Sequence, residues 1–303
     1  MPNAYAHYRL GWEVFPRLSP ALRSVIETKK DLFQAGFYGP DIFFYYKPFA
    51  KTPIGRLGTT WHRRPAKKFF RQAKAVLQRM PDRKATEAYL QGYVTHFALD
   101  SCCHSYVEYM VEQNGMDHSE IETDLERELL VRDGLDPLRH HAVAHLGNIT
   151  LREAELIAAV HRKLSPPEAM EAVSSMHRFS RLLLPTNPVK RRVIDGVLRL
   201  SGQYEALHGL LIRKEPAEQL RKTTETLLTC YEEAVPMAVE LMENYHEFLW
   251  GKTPLSKLFD YGFDGDEREK ERIRKCTEKD KTKTCWRSLS YLHNKDGREE
   301  SRK

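Results

Sequence analysis

Apolar residues recur at three- and four-residue spacing along most of the chain, which is the period of a helix with one buried face. Ser19 followed by Pro20 has the cap-then-proline pattern that opens a helix, and Gly36 is placed to close it. Alternating, strand-like segments between hairpin turns are missing from the sequence. We therefore predict an all-α, multi-helix single domain, with further helices near residues 65–80, 84–113, 118–132, 150–164, 166–184, 189–200 and 216–249.

Pro236 lies inside the last apolar run, Thr223 to Trp250. Proline lacks a backbone donor and clashes with the preceding turn, so we predict that it kinks or divides this helix.

The chain changes character after Trp250. Residues 266–303 contain 13 Lys and Arg against 9 Asp and Glu, a net +4 of the +6 carried by the whole chain. We predict a helical domain over residues 1–250 and a charged tail, partly disordered or helical, over residues 251–303. Such a tail is most simply solvated, although contact with an anionic membrane surface or with nucleic acid stays open.

Three metal-ligand side chains follow one another at four-residue steps: His96, Asp100 and His104. On a helix they are spread over only about 80°, so they share a face. A second pair, His118 and Glu122, has the same spacing. A single pair of this kind is often an ordinary surface interaction, but the segment around His96 is mostly apolar, and a buried carboxylate needs a compensating charge. Five such residues exceed what one zinc ion takes from a protein, so we predict a multinuclear zinc site and hydrolytic chemistry.

Three residues upstream are further candidates. Asp41 is the lone carboxylate in an aromatic stretch after Gly39-Pro40, where a turn or helix-cap role is the alternative. His62 follows Trp61, and His7 lies near the amino terminus. Each histidine taken alone is more typical of a hydrogen-bonded surface residue than of a ligand.

The order of these eight residues resembles the zinc-dependent phospholipase C/D family, whose relatives include bacterial phospholipases C, single-strand nucleases of the P1 type and the amino-terminal domain of glycosylphosphatidylinositol-specific phospholipase D. The resemblance covers about residues 1–125. It implies two to three zinc ions. The implied ligands are Asp41, His62, His96 and Asp100 for the first, and His104, His118 and Glu122 for the second. The third would be held by His7, a bridging Asp100 and, as a further candidate, the amino terminus of Pro2 after removal of Met1.

The resemblance also implies a function. The chain is expected to be a zinc-dependent phosphodiester hydrolase, phospholipase C/D-like, in which Asp41 is the general base for a metal-activated water. The substrate would be a phospholipid or another phosphodiester, and the basic tail could touch an anionic membrane. Two alternatives are a P1-like nuclease and a catalytically weak helical protein that metals stabilise for binding. Ile42 replaces the tyrosine of choline-binding relatives, so a preference for phosphatidylcholine is not implied.

The remaining composition sets outer limits. No apolar run is long enough for a transmembrane helix, and no cationic segment followed by an apolar stretch opens the chain, so we predict a cytoplasmic protein. The five cysteines do not suggest a disulfide framework, and Cys102 and Cys103 are interpreted as packing residues. His141 and His145 have no carboxylate at helical spacing and are interpreted as structural.

Overall fold

A computed structural model describes residues 4–264 of the chain. Within this range the chain forms α-helices and short 3-10 helices and no β-strand, which confirms the predicted all-α fold. The helices are α1 (Ala4–Val14), α2 (Pro20–Glu27), α3 (Lys30–Gly36), α4 (Pro53–His62), α5 (Ala66–Leu77), α6 (Arg83–Asn114), α7 (His118–Arg132), α8 (Leu151–His161), α9 (Pro166–Leu183), α10 (Pro188–Leu200), α11 (Tyr204–Leu207) and α12 (Arg221–Leu249).

Helix α6 is the central element. The Asp82 carboxylate caps its first turn by accepting from the Ala85 amide at 3.0 Å, and Gly115, with a φ of 63°, ends it. Most of its 32 residues are buried, and they lie on every face of the helix, as expected of a helix surrounded by others. Helices α1, α2, α3, α5, α7 and α12 all pack against it.

Helix α12 runs unbroken through Pro236, so the prediction that this proline divides the helix is wrong. Pro236 and Glu232, one turn earlier, are both exposed. Pro236 has no amide hydrogen to donate to the Glu232 carbonyl, so water can donate to that carbonyl instead. The proline ring faces solvent.

The predicted helix between Ser19 and Gly36 is in fact two helices, α2 and α3. The Thr28 hydroxyl donates to the Val25 carbonyl at 2.9 Å and so competes with the helical pattern. Lys29 leaves helical geometry, and its ammonium pairs with Asp82 at 2.7 Å. A tertiary ion pair at the start of α6 thus accompanies a break that the apolar period does not signal.

Two glycines let α3 cross α6 at very short range. A Cβ atom on Gly36 would overlap the Tyr89 carbonyl oxygen, and one on Gly92 would overlap the Phe33 carbonyl oxygen. Backbone therefore meets backbone at this crossing, and it holds the segment after α3 against the middle of α6.

The chain after α12 returns to the helical body. Phe259 and Phe263 are fully buried, and the Phe263 amide donates to the His62 carbonyl at 3.2 Å. The described part of the predicted tail, residues 251–264, is therefore anchored to the domain by Phe259 and Phe263. Residues 265–303 lie outside the described range, so the boundary at residue 250 stays a prediction.

Candidate metal centre

Asp100, on the buried face of α6, is surrounded by four imidazoles. Its Oδ2 atom lies 3.0 Å from His96 Nε2, 3.6 Å from His62 Nε2 and 3.9 Å from His104 Nδ1. Its other oxygen, Oδ1, lies 3.3 Å from His7 Nε2. A carboxylate whose two oxygens face different histidines can bridge two metal ions.

Asp41, His62 and His96 form a group on one side of Asp100. Asp41 Oδ1 lies 2.9 Å from His62 Nε2 and 3.7 Å from His96 Nε2. Backbone carbonyls bind the opposite ring nitrogens: His62 Nδ1 donates to Gly58 at 2.9 Å, and His96 Nδ1 donates to Phe37 at 3.1 Å. Each Nε2 therefore faces the centre, and in the neutral imidazole it offers the lone pair that a metal ion needs.

The positions of these atoms fit a tetrahedral zinc ion. Ligand bonds of 2.0–2.1 Å in tetrahedral geometry place ligand atoms about 3.3 Å apart. The four distances that join His62 Nε2 and His96 Nε2 to Asp41 Oδ1 and Asp100 Oδ2 range from 2.9 to 3.7 Å. All four atoms are buried, and none has a hydrogen-bond partner in residues 4–264. Buried polar atoms without partners are rare, and a shared cation would satisfy all four.

His104, His118 and Glu122 form a second group where α6 meets α7. The Nε2 atoms of both histidines lie 3.1 Å from Glu122 Oε1. The negative charge of Glu122 raises the pKa of His118 to about 9. If these three side chains held a tetrahedral zinc, one of its positions would stay open, which is typical of catalytic rather than structural sites.

Local sequence explains this second group. Gly115 ends α6 in left-handed geometry, and the Asp117 carboxylate caps α7 by accepting from the Glu120 amide at 2.9 Å. The cap places His118 at the first position of α7, so that Glu122 follows one turn later on the same face.

His7 completes a third group with His96 and Asp100. Its ring stacks on His96 with centroids 4.2 Å apart, and burial lowers the pKa of His7, which favours the neutral form that binds metals. Glu126 holds the start of α1 by accepting from the Tyr5 amide at 3.2 Å, and burial raises the pKa of Glu126 to about 8. Pro2, the predicted terminal ligand, lies outside the described residues.

A cavity of about 190 Å³ opens onto the centre. Seven of the eight predicted residues line it; the exception is His96, which is fully buried behind them. Phe44, Thr59 and Arg63 complete the wall, together with Asp264. The cavity gives a substrate access to both groups, and Arg63 adds a positive charge beside them.

Asp264 is a site residue that sequence reasoning missed. Its Oδ1 lies 3.7 Å from His104 Nδ1, the nitrogen that faces away from Glu122. Burial opposes ionisation, but the nearby His104 imidazole outweighs it and holds the pKa of Asp264 below its ordinary value. The residue follows Phe263 in a short segment without a motif, inside the predicted tail of residues 251–303.

The histidines and cysteines interpreted as structural are packed accordingly. His145 stacks between Tyr8 and Tyr38, its Nε2 lies 3.1 Å from the Tyr38 hydroxyl, and burial lowers its pKa to about 4. Cys102 and Cys103 are buried, and neither belongs to the three candidate metal-binding groups of residues 4–264.

An all-α fold whose helices enclose three groups of histidine and carboxylate side chains that could hold metal ions fits the class of helical metal-binding proteins. Within this class, the family model of zinc-dependent phospholipase C matches residues 6–173. The chain belongs to that family. Neither a curated protein nor a solved structure matches it.

The match confirms the resemblance drawn from the order of the eight residues. All eight converge on one centre, and the family is zinc-dependent. The role of each residue as a ligand stays a prediction, as does the number of ions. None of the helices in residues 4–264 is long and apolar enough to cross a bilayer.

Proposed function

We propose that this chain hydrolyses phosphodiesters with two to three bound zinc ions and that its substrate is a phospholipid or a related phosphodiester. The observation that carries the proposal is that two candidate metal-binding groups lie at one open cavity. The first consists of Asp41, His62, His96 and Asp100, and the second of His104, His118 and Glu122. A site meant only to stabilise helices would have its ligand positions filled by protein. The family match supports the same reaction class.

The zinc ions, when bound, would lower the pKa of a water near neutrality and stabilise negative charge on the phosphoryl oxygens. The protein residues do the remaining work. Asp41 lines the cavity and is the proposed general base, and it takes the proton from the attacking water. Asp100 and Glu122 neutralise and position the centre. Arg63, on the cavity wall, is placed to attract the anionic phosphodiester.

The test compares Asp41→Asn with Asp100→Asn on a water-soluble aryl phosphodiester. Asp41→Asn is expected to lose at least about a hundredfold in turnover, the scale of general-base catalysis, while it keeps most of its zinc. Asp100→Asn should lose zinc and stability together, because Asp100 contacts four histidines. Asp260→Asn, at an exposed carboxylate paired with Lys67, is the matched control and should behave as wild type.

Substrate arms separate the alternatives. Phospholipid vesicles and single-stranded nucleic acid are offered to the zinc-loaded protein beside the aryl substrate. Cleavage of nucleic acid alone would favour the P1-like nuclease. Two or more zinc ions without turnover on any substrate would favour the metal-stabilised binding protein and contradict the proposal. The cytoplasmic location predicted from the sequence is a separate proposal that these assays leave open.

A further inference from the structure

Helix α10 (Pro188–Leu200) carries apolar side chains on two opposite faces. Ile194 and Leu198 point inward and form a small cluster with Leu211, to one side of the main core. The other face is exposed and consists of four residues, which we call the α10 stripe: Val189, Val193, Val197 and Leu200, exposed by 69, 59, 58 and 92 %.

The stripe is a continuous surface. At about 100° per residue its four members fall within about 80° of arc, and they extend from the first turn of α10 to its last. Of the nine large hydrophobic side chains that are exposed in residues 4–264, these four share one helix. Single exposed apolar residues are ordinary, whereas a contiguous row of them marks an interaction surface.

Cations border the stripe on both sides. By the same helical geometry Lys190 lies on one flank, and Arg192 and Arg199 lie on the other. Asp195 is the one acidic residue of the helix. An apolar stripe between rows of Lys and Arg is the pattern of a helix that lies in the headgroup region of an anionic bilayer, with its apolar side chains among the acyl chains.

The helix is firmly attached to the protein. The Arg191 guanidinium is turned inward and donates to the Ile212 carbonyl at 2.8 Å and to the Leu211 carbonyl at 3.4 Å. The following segment docks on α7, where the Thr123 hydroxyl donates to the Gly209 carbonyl at 2.8 Å and Arg213 pairs with Glu120. Helix α7 also carries His118 and Glu122, so the unit that presents the stripe is fastened directly beside the centre.

A second copy of the chain is a poorer occupant of this surface. A symmetric dimer through the α10 stripes would bring the flanking cations of both copies together, with only Asp195 on each helix to offset them. An anionic lipid surface meets the same cations with opposite charge. Charge complementarity therefore selects the membrane.

We propose that the α10 stripe is a peripheral membrane-binding surface for bilayers rich in anionic phospholipid. It goes beyond the proposed function, because binding through the stripe does not require hydrolysis. It also differs from a contact through the charged tail, since α10 lies within the packed domain.

The test is co-sedimentation of the full chain with vesicles of phosphatidylserine and phosphatidylcholine, or of phosphatidylcholine alone. Wild type should bind the mixed vesicles more tightly than the neutral ones. The triple variant Val189→Ser, Val193→Ser, Val197→Ser should bind the mixed vesicles about tenfold more weakly or worse, because three half-exposed valines no longer enter the apolar layer. Leu151→Ser, at an exposed leucine on α8, is the matched apolar control and should bind as wild type.

A second set of variants tests the role of charge. Arg192→Glu should remove most of the protein's preference for phosphatidylserine-containing vesicles over neutral ones at low salt. Arg71→Glu, at an exposed arginine on α5, is its control and should keep that preference. Substitution of exposed side chains should leave the melting temperature close to wild type, which excludes unfolding as the cause.

The outcomes separate this proposal from the hydrolase proposal. The triple serine variant should still hydrolyse a soluble aryl phosphodiester, and Asp41→Asn should still bind vesicles. If wild type binds neither the mixed nor the neutral vesicles, the proposal that the α10 stripe binds membranes is overturned. Equal binding by wild type and the triple variant overturns it in favour of the tail. A wild-type dimer that the triple variant abolishes, without vesicle binding, overturns it in favour of self-association.

Discussion

Two backbone carbonyls determine which nitrogen of the central imidazoles faces the centre. Gly58 lies one helical turn before His62 and accepts from its Nδ1, whereas Phe37 accepts from the His96 Nδ1 across 59 positions of sequence. Spacing along the chain identifies His96 as a candidate, because Asp100 and His104 follow it at four-residue steps, whereas His62 became a candidate through the family resemblance. The orienting carbonyl of Phe37 could not be found in that way, since it depends on how α3 packs on α6.

At the residue scale, Asp264→Asn should weaken zinc binding at the His104 group by about tenfold or more, the usual effect of losing a partner that orients a ligand. Asp264 Oδ1 lies 3.7 Å from the His104 nitrogen that points away from Glu122, so we expect its charge to orient the ring and to compensate a bound cation. Competition with a chromophoric chelator measures the affinity. Affinity equal to wild type would show that Asp264 only lines the cavity, and Asp260→Asn controls for the loss of a nearby carboxylate.

The crossing of α3 and α6 links the fold to the centre at the scale of elements. Gly36 and Gly92 allow backbone contact there, and Phe37, the residue after α3, orients His96. Just beyond, Gly39 adopts a φ of 44° and packs against the His96 ring, where a Cβ atom would overlap it. The close packing of Gly36 on Gly92 and the tight turn at Gly39 thus place Asp41 at the site.

Gly92→Ala should destabilise the protein by about 1–3 kcal/mol, because the new methyl group must push the Phe33 carbonyl away from α6. The same displacement should reduce the zinc content by moving Phe37 from His96. Thermal unfolding and metal analysis measure both effects. Gly196→Ala on α10 is the matched control: a Cβ there meets nothing within 4 Å, so this change should stabilise by about 0.5–1 kcal/mol. Equal effects of Gly92→Ala and Gly196→Ala on stability and zinc content would contradict close backbone packing of α3 on α6.

The helical period predicts elements well where both ends carry a local signal. The run predicted over 84–113 is α6 (Arg83–Asn114), bounded by a capping aspartate and a left-handed glycine, and 118–132 coincides with α7. It fails where tertiary contacts decide. The break at Lys29 accompanies an ion pair with Asp82. The period holds through α12, where the division expected from proline chemistry does not occur and Pro236 is exposed to solvent.

The metal centre is a property of the whole molecule. Its candidate ligands come from α1, the segment after α3, α4, α6 and α7, and Asp264 approaches from beyond α12. The eight ligand types were identifiable from sequence because histidine and carboxylate recur in a characteristic order. Asp264 was not, because a single aspartate 142 positions after Glu122 becomes a neighbour only through the burial of Phe259 and Phe263.

Metal-free protein should hold protons where zinc would otherwise bind. Burial opposes the charged form of His62, but Asp100 and Asp41 outweigh it and raise its pKa to about 10, while Glu122 raises the pKa of His118 to about 9. Both imidazoles are therefore protonated at pH 7 without metal and must release those protons to become ligands. More protons are bound in the metal-free state than in the zinc-bound state, so zinc affinity should increase as the pH rises towards 9.

Removal of zinc by a chelator should accordingly lower the melting temperature, and the loss should be larger at pH 8 than at pH 6. Zinc that binds only the folded state stabilises it by about 4 kcal/mol when its free concentration is a thousandfold above the dissociation constant, and the affinity falls as protons compete. Calorimetry of zinc-loaded and chelator-treated protein at both pH values measures the difference. Asp100→Asn, without its bridging carboxylate, should show little response to chelator. A melting temperature that is insensitive to chelator at both pH values in wild type would mean that the eight residues are held together by hydrogen bonds and ion pairs alone.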